Sequence, residues 1–151
     1  TGVRTFEAAA FLRRNGADVT RVRKLFRENA AEYKAKADAV SQAEIYRNAY
    51  AISICHSEGI ASPTVVGAQA ANELLDIRGV KASFVLTEYQ NKLFFSARSI
   101  DEVNVQVIME RMGGGGHLNI AGCQLENTPV EEGIIVLKRT LDKMIEEGEI
   151  S

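Results

Sequence analysis

Residues 112–122 read Met112-Gly113-Gly114-Gly115-Gly116-His117-Leu118-Asn119-Ile120-Ala121-Gly122. Four consecutive glycines, in a chain that has 12 altogether, each give up roughly 0.5–1 kcal/mol against alanine wherever the backbone is regular. In return the main chain can take positive φ, lies bare to an approaching ligand, and can aim successive N–H groups into one concavity that suits an anion such as phosphate. His117 closes the run and is placed to donate to a phosphate oxygen or to take part in proton transfer. The alternative is a flexible turn beside an incidental histidine. Upstream, the apolar run Leu93-Phe94-Phe95-Ser96-Ala97 reads as a strand that ends in Arg98-Ser99. It would carry a guanidinium fork and a hydroxyl to a sheet edge. A surface ion pair for Arg98 and a helix cap for Ser99 are the competing explanations.

The elements that must position these residues follow from the rest of the chain. With 151 residues, 46% of them hydrophobic, and a formal net charge of −2, it suits one compact domain, or one domain plus part of another. There is no basic excess of the kind that grips a long nucleic acid. Cys55 and Cys123 are isolated and the two histidines lie far apart in sequence, which is the pattern of reduced cytosolic thiols rather than of a zinc site. No apolar run approaches the ~20 residues that cross a bilayer, and there is no signal-peptide pattern. A chain opening on Thr1 is expected to be a piece of a longer protein, and this piece is expected in the cytoplasm without direct membrane contact.

Thr5 is positioned to cap a helix over 6–15, stopped by Gly16. Asp18 would cap a second, with Val22, Leu25 and Phe26 on its apolar side and Arg21, Arg23, Lys24 and Arg27 on a solvated face. Residues 28–48, rich in Ala, Glu and Lys, contain no breaker and predict one long helix, supported by a Glu32–Lys36 pair. The alternation of Tyr50, Ile52 and Ile54 predicts a strand over 49–56, ending at His56, which could face a cleft or lie in an ordinary loop. Ser62-Pro63 opens a helix through Val66, Ala70, Leu74 and Ile77. Strands 82–89 and 93–98, separated by Gln90-Asn91-Lys92, form an antiparallel hairpin. Asp101 would cap a helix through Met112, so the glycine loop follows a C-terminal helix end, where the dipole disfavours an anion. A strand over 121–126 and a helix opened by a Thr128-Pro129-Val130-Glu131 capping box complete the chain. The order from Ala49 is that of an α/β domain with a mixed sheet flanked by helices.

The pieces Ser96-Ala97-Arg98-Ser99, Asn104-Val105-Gln106-Val107-Ile108-Met109-Glu110, the Gly113–His117 loop and Ala121 resemble the DHH phosphoesterase superfamily, specifically its C-terminal DHH-associated, substrate-binding domain. The nearer likeness is to the membrane-anchored cyclic-di-AMP phosphodiesterases, and Thr1-Gly2-Val3-Arg4-Thr5-Phe6-Glu7-Ala8-Ala9 resembles the end of their catalytic domain. The resemblance divides the chain into a helical remnant of that domain (1–28), a connector helix (29–48) and the substrate-binding domain (49–151). It implies that Arg98 and Ser99 hold a phosphate, that the backbone of Gly113, Gly114, Gly115 and Gly116 cradles it, and that His117, the catalytic candidate, bonds one of its oxygens. It implies two manganese ions held by Asp and His residues of the catalytic domain, whose Asp-His-His triplet does not occur here; none is expected to bind to this chain.

It further implies cyclic-di-AMP as substrate and the linear dinucleotide pApA as product, a homodimer, and a parent protein anchored in the bacterial membrane. Many relatives in that branch continue after the histidine with Leu-Thr-Asn-Ala-Ala, whereas this chain has Leu118-Asn119-Ile120-Ala121-Gly122. The asparagine is displaced, so no family role is carried to Asn119. Two alternatives share the same loop: an enzyme of short linear oligonucleotides (nanoRNA), and a non-catalytic nucleotide-binding or dimerisation module. A single-strand exonuclease fits less well, because it favours a basic groove with stacking aromatics and this chain has no tryptophan. The chain alone is expected to hydrolyse no phosphodiester even with added manganese. Measurable turnover by the pure polypeptide would refute that.

Overall fold

A computed structural model describes every residue except Thr1, Phe26 and Glu28. The elements in order are α1 (Val3–Arg14), α2 (Val19–Leu25), α3 (Ala30–Ser41), β1 (Glu44–Tyr46), β2 (Tyr50–Cys55), α4 (Pro63–Leu74), β3 (Ala82–Tyr89), β4 (Lys92–Ser99), α5 (Val105–Arg111), β5 (Gly115–Gly116), β6 (Ile120–Glu126) and α6 (Val130–Glu146). The strands form one six-stranded sheet in the order β1-β2-β3-β4-β6-β5. Only β2 and β3 run parallel, joined by the α4 crossover; the other pairs are antiparallel. The expected mixed α/β sheet is therefore the observed one.

The two faces of the sheet are covered unequally. On one, Tyr50, Ile52, Phe84, Leu86, Leu93, Phe95 and Ala97 pack with Ile108 and Met109 of α5 and Leu137, Leu141 and Met144 of α6. On the other, Ala51, Cys55 and Val85 pack with Ala39 of α3 and Val66, Ala70, Ala71 and Leu74 of α4. This second cluster ends at β3: no residue of β4, β5 or β6 belongs to it. β2 is consequently buried on both faces, as strands in parallel pairing usually are, whereas β4 alternates between buried and half-buried positions.

Several local expectations are revised. The first helix starts at Val3 with Gly2 at its N-cap, not at Thr5. Of the stripe expected on the second helix, Val22 and Leu25 are exposed and Phe26 lies outside the described residues; Asp18 does accept from the Thr20 N–H at 2.9 Å. Over 28–48 a shorter helix, α3, is capped by Asn29, which accepts from the Glu32 N–H. It ends at Ser41, and 44–46 become the edge strand β1. Tertiary contacts override helix propensity here. The Tyr46 hydroxyl donates to Asp142 at 2.7 Å, Arg47 pairs with the same carboxylate at 2.9 Å, and Lys138 of α6 pairs with Glu44 at 2.9 Å. α3 also packs on the sheet rather than standing in solvent, with Lys36 paired to Glu73 of α4 at 3.3 Å and the Ser53 hydroxyl donating to Ala39 O.

The β3–β4 hairpin turns on Gln90 and Asn91, both left-handed (φ 53° and 62°), which is the two-residue turn whose twist matches the strands. At the start of α6 the Thr128 hydroxyl donates back to Glu126 O, and Pro129 occupies the N-cap without a side-chain cap bond. Asp101 does not cap α5. That role belongs to Asn104, whose Oδ1 accepts from the N–H groups of Gln106 (3.0 Å) and Val107 (3.4 Å). Asn104→Ala should cost about 1 kcal/mol and lower Tm by roughly 2–4 °C, while Asp101→Ala leaves the melt unchanged. Thermal unfolding of the two variants checks the reassigned cap.

Candidate functional site

The glycine run performs two different jobs. Gly113, at φ 87°, donates to Glu110 O at 3.0 Å, and Gly114 donates to Met109 O at 2.8 Å. Together these bonds close α5 in a Schellman motif and consume the first two N–H groups. Gly115 and Gly116 then form β5 against Gly122 and Ala121 of β6. The hairpin is closed by His117 and Ile120, which exchange bonds of 2.7 and 3.3 Å. Bonded and non-bonded pairs alternate along an antiparallel ladder, so Gly115 faces β6 and Gly116 turns its N–H to the outer edge of the sheet. The cradle expected from four backbone N–H groups thus narrows to the Gly116 N–H.

Three of the glycines are needed by the fold. Gly113 has the positive φ just described; a methyl on Gly114 would land on Gly122 O and Cys123 Cβ, and 2.7 Å from Cys123 Cα. Gly116 combines φ 147° with a Cβ position 2.5 Å from Ala121 Cα. Gly115 is different: its Cβ would meet nothing within 4 Å. Nothing in the described structure requires a bare backbone there.

Register brings the two side chains of interest into one row. Arg98 pairs with Ile120 across β4–β6, and Ile120 is in turn opposite His117. The row lies on the same sheet face as α3 and α4, toward its β6–β5 edge, and α4 reaches across β3 onto β4. Two strand spacings put the Arg98 and His117 Cα atoms about 10 Å apart, with the 57%-exposed Ile120 between them. Both side chains are long enough to meet one ligand above it. Arg98 is half-buried, and its Nη1 donates to Ala97 O at 2.9 Å and Ala121 O at 3.5 Å. Burial pushes its pKa down, and among the described residues no carboxylate pairs with it. The surface ion pair considered from sequence is not formed among the described residues. His117 is exposed, and among the described residues nothing bonds its ring.

Ser99 points the other way. It is 5% exposed, and its hydroxyl lies 2.6 Å from Val103 O and 3.2 Å from Asn119 Oδ1, while Asn119 Nδ2 donates to Ile100 O at 3.2 Å. With the Val105 N–H donating to Leu118 O at 3.0 Å, these bonds hold the 117–120 turn against the end of β4 and the start of α5. In this conformation Ser99 positions the loop rather than facing a ligand. The helix-cap alternative is not formed either. His56 sits elsewhere, lining a cavity of about 610 Å³ with Glu58, Glu88 and Glu131, at the opposite end of β3 from Ser83, the partner of Arg98. Burial raises both thiol pKa values, that of Cys123 to about 12, so neither cysteine is a nucleophile at neutral pH. Among the described residues no three of His, Cys, Asp and Glu are grouped to hold a metal, and no described helix is long and apolar enough to cross a membrane.

Phe94 and Gln124 share this sheet face with Arg98 and were not singled out from sequence. The alternation in β4 was the available signal, since Leu93, Phe95 and Ala97 face the core and leave Phe94, Ser96 and Arg98 on the other side.

The fold is an α/β domain that sets Arg98 and His117 in one row of a sheet face, with the Gly116 N–H at the adjoining sheet edge. Residues 47–147 match the DHHA1 domain model, and the chain belongs to that family. It is 44% identical over 133 residues, 87% of this chain and 20% of the relative, to the cyclic-di-AMP phosphodiesterase PdeA of Listeria monocytogenes. It is 42% identical over 149 residues, 98% of this chain and 22% of the relative, to the cyclic-di-AMP phosphodiesterase GdpP of Geobacillus thermodenitrificans. The chain thus spans about a fifth of the length of these curated relatives. The crystal structure of an exopolyphosphatase-related protein from Bacteroides fragilis shares the fold, with a TM-score of 0.78 at 20% identity over 95% of this chain and 44% of that one.

The division among the glycines is directly testable. Gly114→Ala should destabilise the chain by about 3 kcal/mol, as overpacking against fixed backbone does. Gly115→Ala should stay within about 0.5 kcal/mol of the parent sequence. Urea unfolding of both variants distinguishes the two kinds of glycine.

Proposed function

We propose that this domain is the substrate-binding part of a cyclic-di-AMP phosphodiesterase, holding a phosphate of the dinucleotide while a separate catalytic domain supplies the metal chemistry. The observation that carries the reading is the half-buried Arg98 guanidinium, without a carboxylate partner among the described residues and in one row with His117. A buried charge is stabilised by an opposite charge, and a guanidinium fork matches two phosphate oxygens. Arg98 takes two non-bridging oxygens, and His117 donates to a phosphate oxygen from the other end of the row, with the Gly116 N–H at the sheet edge beside it. Charge that develops on the phosphate during hydrolysis then meets donors already in place. The printed activities of PdeA and GdpP support the substrate class.

In this reading manganese binds to residues outside this chain, because the described residues offer no ligand group for it. The product is linear pApA, released by cleavage of a 3′–5′ phosphodiester bond. The parent protein is a homodimer anchored in the bacterial membrane, with this domain on the cytoplasmic side. Arg98→Ala and His117→Ala in the parent protein should each lower kcat by roughly 100-fold, the scale of losing one preorganised donor, with Tm unchanged. Near-normal kinetics in both variants would remove the phosphate-site assignment.

A further inference from the structure

The sheet face that carries Arg98 continues along β4 and β6. Its pairs succeed one another as Arg98 with Ile120, Ser96 with Gly122, and Phe94 with Gln124, each row about 7 Å from the last. The middle row, extended by Gly115 on β5, has no side chain larger than serine. The third is unlike it. Phe94 belongs to neither core cluster, although it is a large aromatic on a central strand. Gln124 opposite it is exposed, and among the described residues its carboxamide makes no hydrogen bond. Beside them, at the glycine corner, lies a cavity of about 340 Å³, lined by Phe94, Phe95, Gly113, Gly114, Gly122, Cys123 and Gln124.

We propose that the Phe94–Gln124 end of this face is a base-recognising subsite, where Phe94 stacks on an adenine and Gln124 reads its edge while Arg98 holds the neighbouring phosphate. The inference rests on the phosphate reading of Arg98 and His117. A nucleotide with its phosphate on the Arg98 row lays its ribose over the flat middle row and brings its base to the cavity. An aromatic ring gives a base a stacking surface indifferent to its identity. Selectivity falls to Gln124: a carboxamide offers one acceptor and one donor side by side, which pairs bidentately with the amino group and ring nitrogen of adenine. The next row, Lys92 opposite Glu126, places one charge of each sign and no net field for a second phosphate.

The test uses the parent protein and reads kcat/KM for cyclic-di-AMP and cyclic-di-GMP in the same preparation. Phe94→Leu should lower kcat/KM for cyclic-di-AMP about tenfold through KM, with Phe94→Trp restoring it, since an apolar side chain without a ring cannot stack. Gln124→Glu should shift the adenine-to-guanine ratio about tenfold toward guanine, because a carboxylate accepts from the guanine N1–H and N2–H groups but offers adenine no donor. The ratio is internal to one protein sample, so partial unfolding does not move it. A Gln124→Glu ratio unchanged from the parent, or a Phe94→Leu enzyme with parental KM, overturns the subsite. Arg98→Ala separates this from the underlying reading: it should depress both substrates equally, and normal rates on both would overturn the phosphate site while leaving the ratio experiment readable.

Discussion

The structure turns on a positive charge taken half out of water. The Arg98 guanidinium lies against the sheet with two backbone carbonyls as its partners and no carboxylate among the described residues. Carbonyl oxygens satisfy N–H groups but do not neutralise a cation. An exposed lysine would lose little by waiting in solvent. A half-buried arginine carries a standing desolvation cost that an anionic ligand relieves. The rest of the site keeps this arrangement in place: α5 stops at its glycine cap, β5 turns back along β6, and His117 arrives in the same row.

The supporting bonds explain why so many polar groups near the loop are not aimed at a ligand. Ser99, Asn119, Val103 and Leu118 form a small network that fixes the turn. Gly113 and Gly114 serve the end of α5. What remains for the proposed recognition is a short set of groups: Arg98, His117 and the edge-facing N–H of Gly116. The backbone that carries them is fixed by these bonds, which would lower the entropy lost on binding.

Much of this was legible in the sequence because it is periodic or local. The apolar alternation of 82–89 and 93–98 located the central hairpin, and the helical spacing of Val66, Ala70 and Leu74 located α4. The glycine run and Arg98 marked the candidate site. The parts that were not legible depend on contacts distant in sequence. Residues 44–46 follow a helix-like composition and become a strand paired to β2, with Asp142 and Lys138 of α6 holding Tyr46 and Glu44. Asp101 and Asn104 are both acceptable caps by residue type, and tertiary placement of Val103 and Val105 in the core decides between them. The orientation of Ser99 and the distribution of donors within four identical glycines follow from ladder register, which no local pattern contains. The same register exposed Phe94 and Gln124.

The most direct measurement is a titration of the 151-residue chain with pApA, following the backbone amides of the four loop glycines by NMR. The Gly116 amide should move with saturation, Gly113 and Gly114 should move far less, and the Gly116 response should disappear in Arg98→Ala. A saturating shift that spares Gly116, or one that persists undiminished without Arg98, would contradict the phosphate-site assignment.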